Sequence, residues 1–186
     1  ARHLSSDRSR LRSLTVQDSI HGIDRERVTA WLVDHVDGAV APFEFDLIVG
    51  GRSNLTYTVT GADGTRFVLR RPPTGSVLAT AHDMAREHRI ISAVGRTDVP
   101  VPPALGLCTD EEVNGAPFYV MGFVDGVVLD SAAKGEAMTP DARRSAGLHL
   151  IDVLADLHDV DVDAVGLGDL AKREGYVERQ LKRWSR

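Results

Sequence analysis

The residues best suited to chemistry form a short polar loop that precedes two predicted strands. Four small or polar residues lie in this loop: Gly50, Gly51, Ser53 and Asn54. Apolar residues then alternate with threonines from Leu55 to Thr60, and a returning strand after Asp63-Gly64 ends at Arg70 and Arg71. A glycine-containing loop can bring backbone N–H groups close to phosphate oxygens, and an arginine supplies a cation. This pattern is typical of a phosphate-binding hairpin, although an ordinary turn between strands fits Gly50-Gly51 equally well.

A carboxylate occurs on the inward side of the helix predicted from Ala79 to Val94. Glu87 lies three residues after Met84 and four before Ile91, which places it on the apolar side of that helix. A buried carboxylate without a partner is costly, and Arg70 at the end of the preceding strand is the natural cation. On these two residues alone, a structural ion pair is the simpler interpretation.

The elements that would position these residues change in type along the chain. The predicted order is a helix at 23–36, a strand at 43–49, the hairpin, the helix at 79–94, strands at 104–108 and 117–124 joined by a loop, and helices at 140–158 and 173–184. Asp24 and Thr139-Pro140 are helix-start signals, and Asn114-Gly115 marks the loop. The pattern therefore predicts an α+β chain with a flexible tail at residues 1–22, a mainly β lobe with its leading helix at 23–124, and a helical segment at 125–186.

Composition excludes several classes of protein. The chain has 186 residues, a formal net charge of −5 and few aromatic residues, which argues against a nucleic-acid partner. No apolar run is long enough to span a membrane, and the single cysteine, Cys108, fits a reducing compartment. The histidines lack metal-ligand spacing, and the alternating Asp159, Asp161 and Asp163 lack the glycine and glutamate of an EF-hand. We therefore predict a cytoplasmic globular protein with no metal site in these residues and a buried, unreactive thiol.

Seven short segments occur in a fixed order between residues 43 and 186. They are GGRSNLTY at 50–57, FVLRRPP at 67–73, AHDMARE at 81–87, PVP at 100–102, GAPFYVM at 115–121, LADLH at 154–158 and GYVERQL at 175–181. Together they resemble the aminoglycoside phosphotransferase-like (kinase-like) family, in the branch associated with acyl-CoA dehydrogenases. The shared order is far more specific than any single segment.

The resemblance implies a protein-kinase-like fold and a phosphotransferase activity. An antiparallel β N-lobe with one helix would be followed by the beginning of a helical C-lobe. The family transfers the γ-phosphoryl group of ATP (or GTP), with Mg²⁺, to a hydroxyl group of a small molecule. The alternative function is a non-catalytic nucleotide-binding or docking module that serves a partner enzyme, with an acyl-CoA dehydrogenase as the expected associate.

The resemblance also assigns roles to individual residues. The loop residues would lie above the nucleotide phosphates, Arg70 would hold the α- and β-phosphates, and Glu87 would pair with Arg70. Val68 would cover the adenine, and the hinge that contacts the adenine edge would consist of Val120, Met121, Gly122 and Phe123. Two features depart from the kinase pattern, because the loop is not Gly-x-Gly-x-x-Gly and arginine replaces the usual lysine.

The catalytic residues of the family have no match in this sequence. A His-Gly-Asp motif does not occur, and His21-Gly22-Ile23-Asp24 differs from it and precedes the predicted nucleotide lobe. The resemblance places the catalytic loop and the metal-binding aspartate beyond Arg186. We therefore expect these 186 residues alone to be inactive in phosphoryl transfer and to expose a surface that further polypeptide covers.

Overall fold

The computed structural model describes residues 20–48, 53–75 and 82–185. Its chain divides into two compact units, Ala1–Ala85 with Leu105–Phe123 and Arg86–Ala104 with Val124–Arg186. The first unit contains most of the strands, and the second consists mainly of helices. The backbone thus passes from one unit to the other at residues 85–86, 104–105 and 123–124.

A five-stranded sheet forms the centre of the first unit. Its strands are β1 (Glu44–Leu47), β2 (Leu55–Thr60), β3 (Arg66–Arg71), β4 (Ala104–Cys108) and β5 (Phe118–Gly122), in the spatial order β1-β2-β3-β5-β4. Neighbours among β1, β2, β3 and β5 pair in antiparallel fashion. The predicted mixture of strands and helices is confirmed. The first strand ends at Leu47, earlier than predicted, and Val49 lies outside the described residues.

The turn between β2 and β3 has the chemistry that its sequence predicts. Gly64 has a φ of 83°, a conformation that glycine adopts at little cost. The Asp63 carboxylate accepts hydrogen bonds from the Thr65 N–H at 3.0 Å and from the Thr65 hydroxyl at 2.7 Å. These bonds hold the pKa of Asp63 below its usual value. The resulting register pairs Leu55 with Arg71, and this register decides which side chains share a face of the sheet.

Helix α1 (Arg25–His35) packs on one face of the sheet. Asp24 caps its first turn by accepting a hydrogen bond from the Arg27 N–H at 3.1 Å. The buried face of α1 packs with alternate residues of the strands, namely Tyr57, Val59, Phe67, Leu69, Phe118 and Val120. Trp31 stacks on His35 and meets the Phe118 ring edge to face at 4.9 Å between centroids. Because side chains alternate along a strand, the intervening residues point to the other face.

Two further helices occur between the strands. Helix α2 (Met84–Val94) begins later than predicted, since His82 and Asp83 are not helical and residues 79–81 lie outside the described part. A single-turn helix, α3 (Glu111–Asn114), occupies the predicted loop between β4 and β5. Asp110 caps α3, and Gly115 ends it with a φ of 67°. Four residues carry too little periodicity to show a helix in the sequence.

The second unit contains α4 (Ala132–Glu136), α5 (Pro140–Asp159) and α6 (Tyr176–Trp184). The short helix α4 was not predicted. Helix α5 begins as predicted, with Thr139 accepting a hydrogen bond from the Ala142 N–H at 3.2 Å. Helix α6 begins three residues later than predicted, after Gly175 in a left-handed conformation. A small core of this unit contains Ala93, Val94, Val99 and Leu167.

Helices α5 and α6 expose apolar side chains. Within the described residues neither helix has a buried one, and the exposed fractions reach 61% for Ile151, 65% for Leu181 and 81% for Trp184. Such faces are typical of surfaces that pack against another element. Across the described ranges, no helix is both long and apolar enough to cross a lipid bilayer.

Candidate functional site

Strands β3 and β5 bring predicted site residues together on the sheet face opposite α1. Directly opposed residues of antiparallel strands point their side chains to the same face. Val68 of β3 lies opposite Met121 of β5. Arg70, two residues further along β3, lies between Tyr119 of β5 and Thr56 of β2. An apolar pair and a cation therefore follow one another along a single face.

The Arg70 side chain is half-buried and lies along β2. Its Nη1 donates a hydrogen bond to the Thr56 hydroxyl oxygen at 3.3 Å. This contact, which the sequence analysis missed, orients the guanidinium on the sheet face. Glu87, the predicted partner of Arg70, is a half-buried residue of α2 and belongs to the second compact unit. The pairing of Arg70 with Glu87 stays a prediction.

The four predicted hinge residues have different surroundings. Val120 is fully buried in the core under α1, so only its backbone remains for a ligand. Met121 and Gly122 are half-buried, and β5 ends at Gly122. The Arg66 guanidinium lies 4.0 Å from the centroid of the Phe123 ring, a cation–π contact that holds the first residue after the strand. The hinge role of these residues stays a prediction.

The predicted phosphate loop is only partly described. Gly50 and Gly51 lie outside the described residues, and Ser53 is exposed. Asn54 is buried, and its Oδ1 lies 2.6 Å from Nδ1 of His82. Since an amide oxygen can only accept, this bond requires the proton on Nδ1 of His82. Whether Ser53 and Asn54 contact phosphate stays a prediction.

Arg71 has a structural role that the sequence analysis did not assign. It points to the α1 side of the sheet and is buried. Its Nη1 donates hydrogen bonds to the carbonyl oxygens of Gly22 and, at 3.2 Å, Asn114. The Tyr57 hydroxyl donates in the same way to the His21 carbonyl oxygen. These bonds fix the segment before α1, which was predicted to end the flexible tail.

The burial of Arg71 and its neighbour Tyr57 shifts the pKa values of both side chains. Burial lowers the pKa of the Arg71 guanidinium, and the neighbouring Tyr57 partly offsets that effect. Burial likewise raises the pKa of Tyr57, with Arg71 acting in the opposite direction. The strict alternation along β3 could have revealed this position, because it places Arg71 on the same face as Phe67 and Leu69.

The remaining titratable residues show no metal centre in the part of the chain that the structure describes. No group of three or more His, Cys, Asp or Glu side chains there is arranged to hold a metal ion. Asp161 accepts hydrogen bonds from the N–H groups of Asp163 and Ala164, and Asp163 pairs with Arg173 at 2.8 Å. Cys108 is buried as predicted, and burial raises the pKa of its thiol.

Comparison with known proteins gives this arrangement a context. Residues 44–186 match the model of the phosphotransferase enzyme family, APH. A crystal structure of a Ralstonia eutropha protein assigned as an aminoglycoside phosphotransferase is 36% identical, with a TM-score of 0.72 over 87% of this chain and 46% of that chain. Acyl-CoA dehydrogenase family member 10 of Mus musculus is 35% identical over 153 residues, which are 82% of this chain and 14% of that protein. Acyl-CoA dehydrogenase family member 11 of Homo sapiens is 31% identical over 171 residues, 89% of this chain and 22% of that protein.

These matches confirm two predictions. The resemblance stated from the sequence holds, and the α+β fold is of the kinase-like type. The chain spans less than half of the matched crystal structure and less than a quarter of the length of the curated relatives.

Proposed function

Since the chain belongs to the phosphotransferase enzyme family, we propose that it forms the nucleotide-binding part of an ATP- or GTP-dependent small-molecule kinase. The γ-phosphoryl group would pass to a hydroxyl group of the substrate. In phosphoryl transfer the protein contributes mainly by positioning the reactants and by stabilising charge. The role of this chain is to hold the nucleotide.

The observation that carries the proposal is the arrangement of Val68, Met121 and Arg70 on one sheet face. The Val68–Met121 pair is apolar, with Val68 8% exposed and Met121 half-buried, and it suits contact with one face of a flat adenine ring. Two residues along a strand correspond to about 6–7 Å, so the guanidinium follows the apolar pair at short range. That order matches the order of base, sugar and phosphate in a nucleotide.

The polar side chains on this face are suited to contact the phosphates of a nucleotide rather than to hold its metal ion. Arginine forks onto phosphate oxygens, and Thr56 orients Arg70 for that contact. A bound Mg²⁺ would neutralise charge on the phosphates. We assign its protein ligands and the catalytic carboxylate to polypeptide outside these 186 residues. The partial coverage of the relatives and the exposed apolar faces of α5 and α6 support that assignment.

A second candidate function is a non-catalytic nucleotide-binding module that serves an acyl-CoA dehydrogenase. Two observations favour it: arginine occupies the position of the usual lysine, and the mouse and human relatives are named as acyl-CoA dehydrogenase family members. Both candidates require nucleotide binding at the same face. They differ in whether a longer protein carries the catalytic loop.

Calorimetric titration of the 186-residue chain with Mg-ATP tests the shared requirement. Arg70→Ala should lower the association constant about tenfold or more, because a hydrogen bond to a charged group contributes about 1.5–3 kcal/mol. Arg96→Ala, which removes an exposed arginine of the other unit, is the matched control and should bind like the unmodified chain. Equal affinities of the Arg70→Ala and Arg96→Ala variants would contradict the proposal.

A longer protein that contains this chain would distinguish the two candidate functions. The kinase requires a His-Gly-Asp motif after Arg186, with an asparagine five residues beyond the aspartate. Replacing that aspartate with asparagine should abolish ATP-dependent phosphorylation of a hydroxyl substrate while ATP still binds. A longer protein that binds ATP but has another residue in place of the aspartate would support the docking module instead.

A further inference from the structure

A cavity lies at the end of β3, within the first unit. Its volume is about 590 Å³, within the range of small-molecule sites. Its walls come from residues 71–75 at the end of β3, residues 82–85 at the beginning of α2, and the connection between β4 and β5. Val68, Arg70 and Met121 are not among the described residues that line this cavity. The cavity is therefore distinct from the proposed nucleotide face.

The cavity is lined by a buried cation, Arg71, which is 6% exposed. Its hydrogen bonds use Nε, which donates to the Pro72 carbonyl at 3.0 Å, and Nη1, which donates to two further carbonyls. Among the residues that the structure describes, Nη2 has no hydrogen-bond acceptor and no carboxylate pairs with the guanidinium. Carbonyl dipoles compensate only part of the cost of burying a charge.

Asn114, a neighbour of Arg71, carries a buried side-chain donor. The Asn114 carbonyl accepts from Arg71, and the Asn114 Oδ1 accepts from the Asp24 N–H at 2.9 Å. The Nδ2 group of Asn114 is buried without a hydrogen-bond partner among the described residues. Folded proteins leave few buried donors unpaired. Asn114 is not among the described residues that line the cavity, so the Arg71 guanidinium is the charged donor that an acceptor in the cavity would meet.

We propose that this cavity binds the oxyanion group of a small molecule, a phosphate or a carboxylate, with the Arg71 guanidinium as its principal donor. The first residues of α2 line the same cavity, where the positive end of the helix dipole adds to the attraction. Two exposed carboxylates, Asp83 and Glu111, also line it. They disfavour further negative groups on the ligand, so the class is a single oxyanion group on an otherwise uncharged or cationic molecule.

The position of the two arginines makes this site separable from the nucleotide face. Arg70 and Arg71 are consecutive in β3, and side chains of consecutive strand residues point to opposite faces. Arg70→Ala should therefore leave the shifts at this cavity unchanged, while a change at Arg71 should abolish or weaken them. The proposed nucleotide site and the proposed oxyanion site can therefore be refuted independently of each other.

Titration of the 186-residue chain with inorganic phosphate, and separately with acetate, tests the proposal. Sodium chloride at matched ionic strength is the reference, and backbone amide NMR shifts report the place of binding. We expect saturable shifts at Ala85, Asn114 and Ala116 with one or both anions and not with chloride. A response to phosphate alone indicates a phosphate ester as ligand, and a response to acetate alone indicates a carboxylate. No saturable shift at these residues with either anion would overturn the proposal.

Two variants test whether Arg71 is the donor. Arg71→Lys keeps the charge but loses the forked donor geometry, and it should weaken binding about fivefold or more. Glu111→Gln removes one exposed negative charge from the wall and should strengthen binding about two- to fivefold. Glu111 is exposed, so this variant remains informative if Arg71→Lys fails to fold. Unchanged affinity in Glu111→Gln, together with unchanged affinity in any folded Arg71→Lys, would refute the site.

Discussion

Replacing Gly106 with alanine should weaken the packing of α1 on the sheet. A Cβ atom at Gly106 would lie 2.9 Å from Cη2 of Trp31 and 3.8 Å from the His35 carbonyl oxygen. Carbon atoms in favourable contact are about 3.5–4.0 Å apart, so the Trp31 ring would have to move by roughly 0.6 Å or more. That ring is only 9% exposed, and it is fixed by stacking on His35 and by the edge of Phe118.

The magnitude follows from two opposing effects on the free energy of unfolding. Forcing an additional methyl group into a packed core costs about 1–3 kcal/mol. Replacing a strand glycine with alanine raises the free energy of unfolding by about 0.5–1 kcal/mol, because the unfolded chain has less conformational freedom. We therefore expect Gly106→Ala to lower the free energy of unfolding by about 0.5–2 kcal/mol. At about 2–4 °C per kcal/mol, Tm should fall by about 1–8 °C.

Equilibrium urea unfolding of a double-mutant cycle with Trp31→Leu measures this contact directly. Leucine at position 31 removes the ring atom that the new methyl group would meet. In that background Gly106→Ala should cost close to nothing or even stabilise the protein. Gly126→Ala is the control, because a Cβ atom at Gly126 would meet no atom within 4 Å.

If Gly106→Ala lowers the free energy of unfolding equally with Trp31 and with leucine at position 31, the new methyl group does not clash with the Trp31 ring. Affinity for Mg-ATP supplies a second readout. Because α1 packs on the face opposite Val68 and Arg70, a folded Gly106→Ala variant should bind ATP like the unmodified chain. Weakened ATP binding would contradict the assignment of the two faces.

Two further predictions concern a buried hydrogen bond and pH. Asn114→Ala removes the acceptor of the Asp24 N–H and should lower the free energy of unfolding in urea by about 1–3 kcal/mol, whereas no loss would mean that water replaces the side chain. Burial lowers the pKa of His88, so the unfolded chain, with a histidine pKa of about 6.5, takes up a proton before the folded chain does. Stability should therefore fall as the pH is lowered through about 6.5. His88→Gln should lessen the difference in Tm between pH 7.5 and 5.5, and an unchanged difference would exclude His88 as its source.

The features that sequence predicted well depend on local chemistry. The Asp24 cap, the start of α5 at Thr139-Pro140 and the Asp63-Gly64 turn each need only neighbouring residues, and each occurs as expected. The alternation along β3 also placed Val68 and Arg70 on one face, because the side-chain period of a strand is fixed by its backbone.

The features that sequence did not predict depend on segments that are distant in the chain. Arg71 contacts the carbonyls of Gly22 and Asn114, which are 49 and 43 residues away, and no local pattern specifies either contact. The sequence analysis expected a surface that further polypeptide covers, but not which residues form it, and Leu150 and Ile151 of α5 are exposed in this chain. The pairing of Arg70 with Glu87 is a long-range prediction of the same kind.

The central claim is that a nucleotide binds to the sheet face that carries Val68, Arg70 and Met121. Amide hydrogen exchange of the 186-residue chain, measured with and without saturating Mg-ATP, tests this claim most directly. We expect slower exchange at residues 68–70 of β3 and at residues 119–123, and unchanged exchange in α1. Protection confined to α1 or to the cavity at Arg71, or no protection of β3 and β5 at saturating nucleotide, would contradict it.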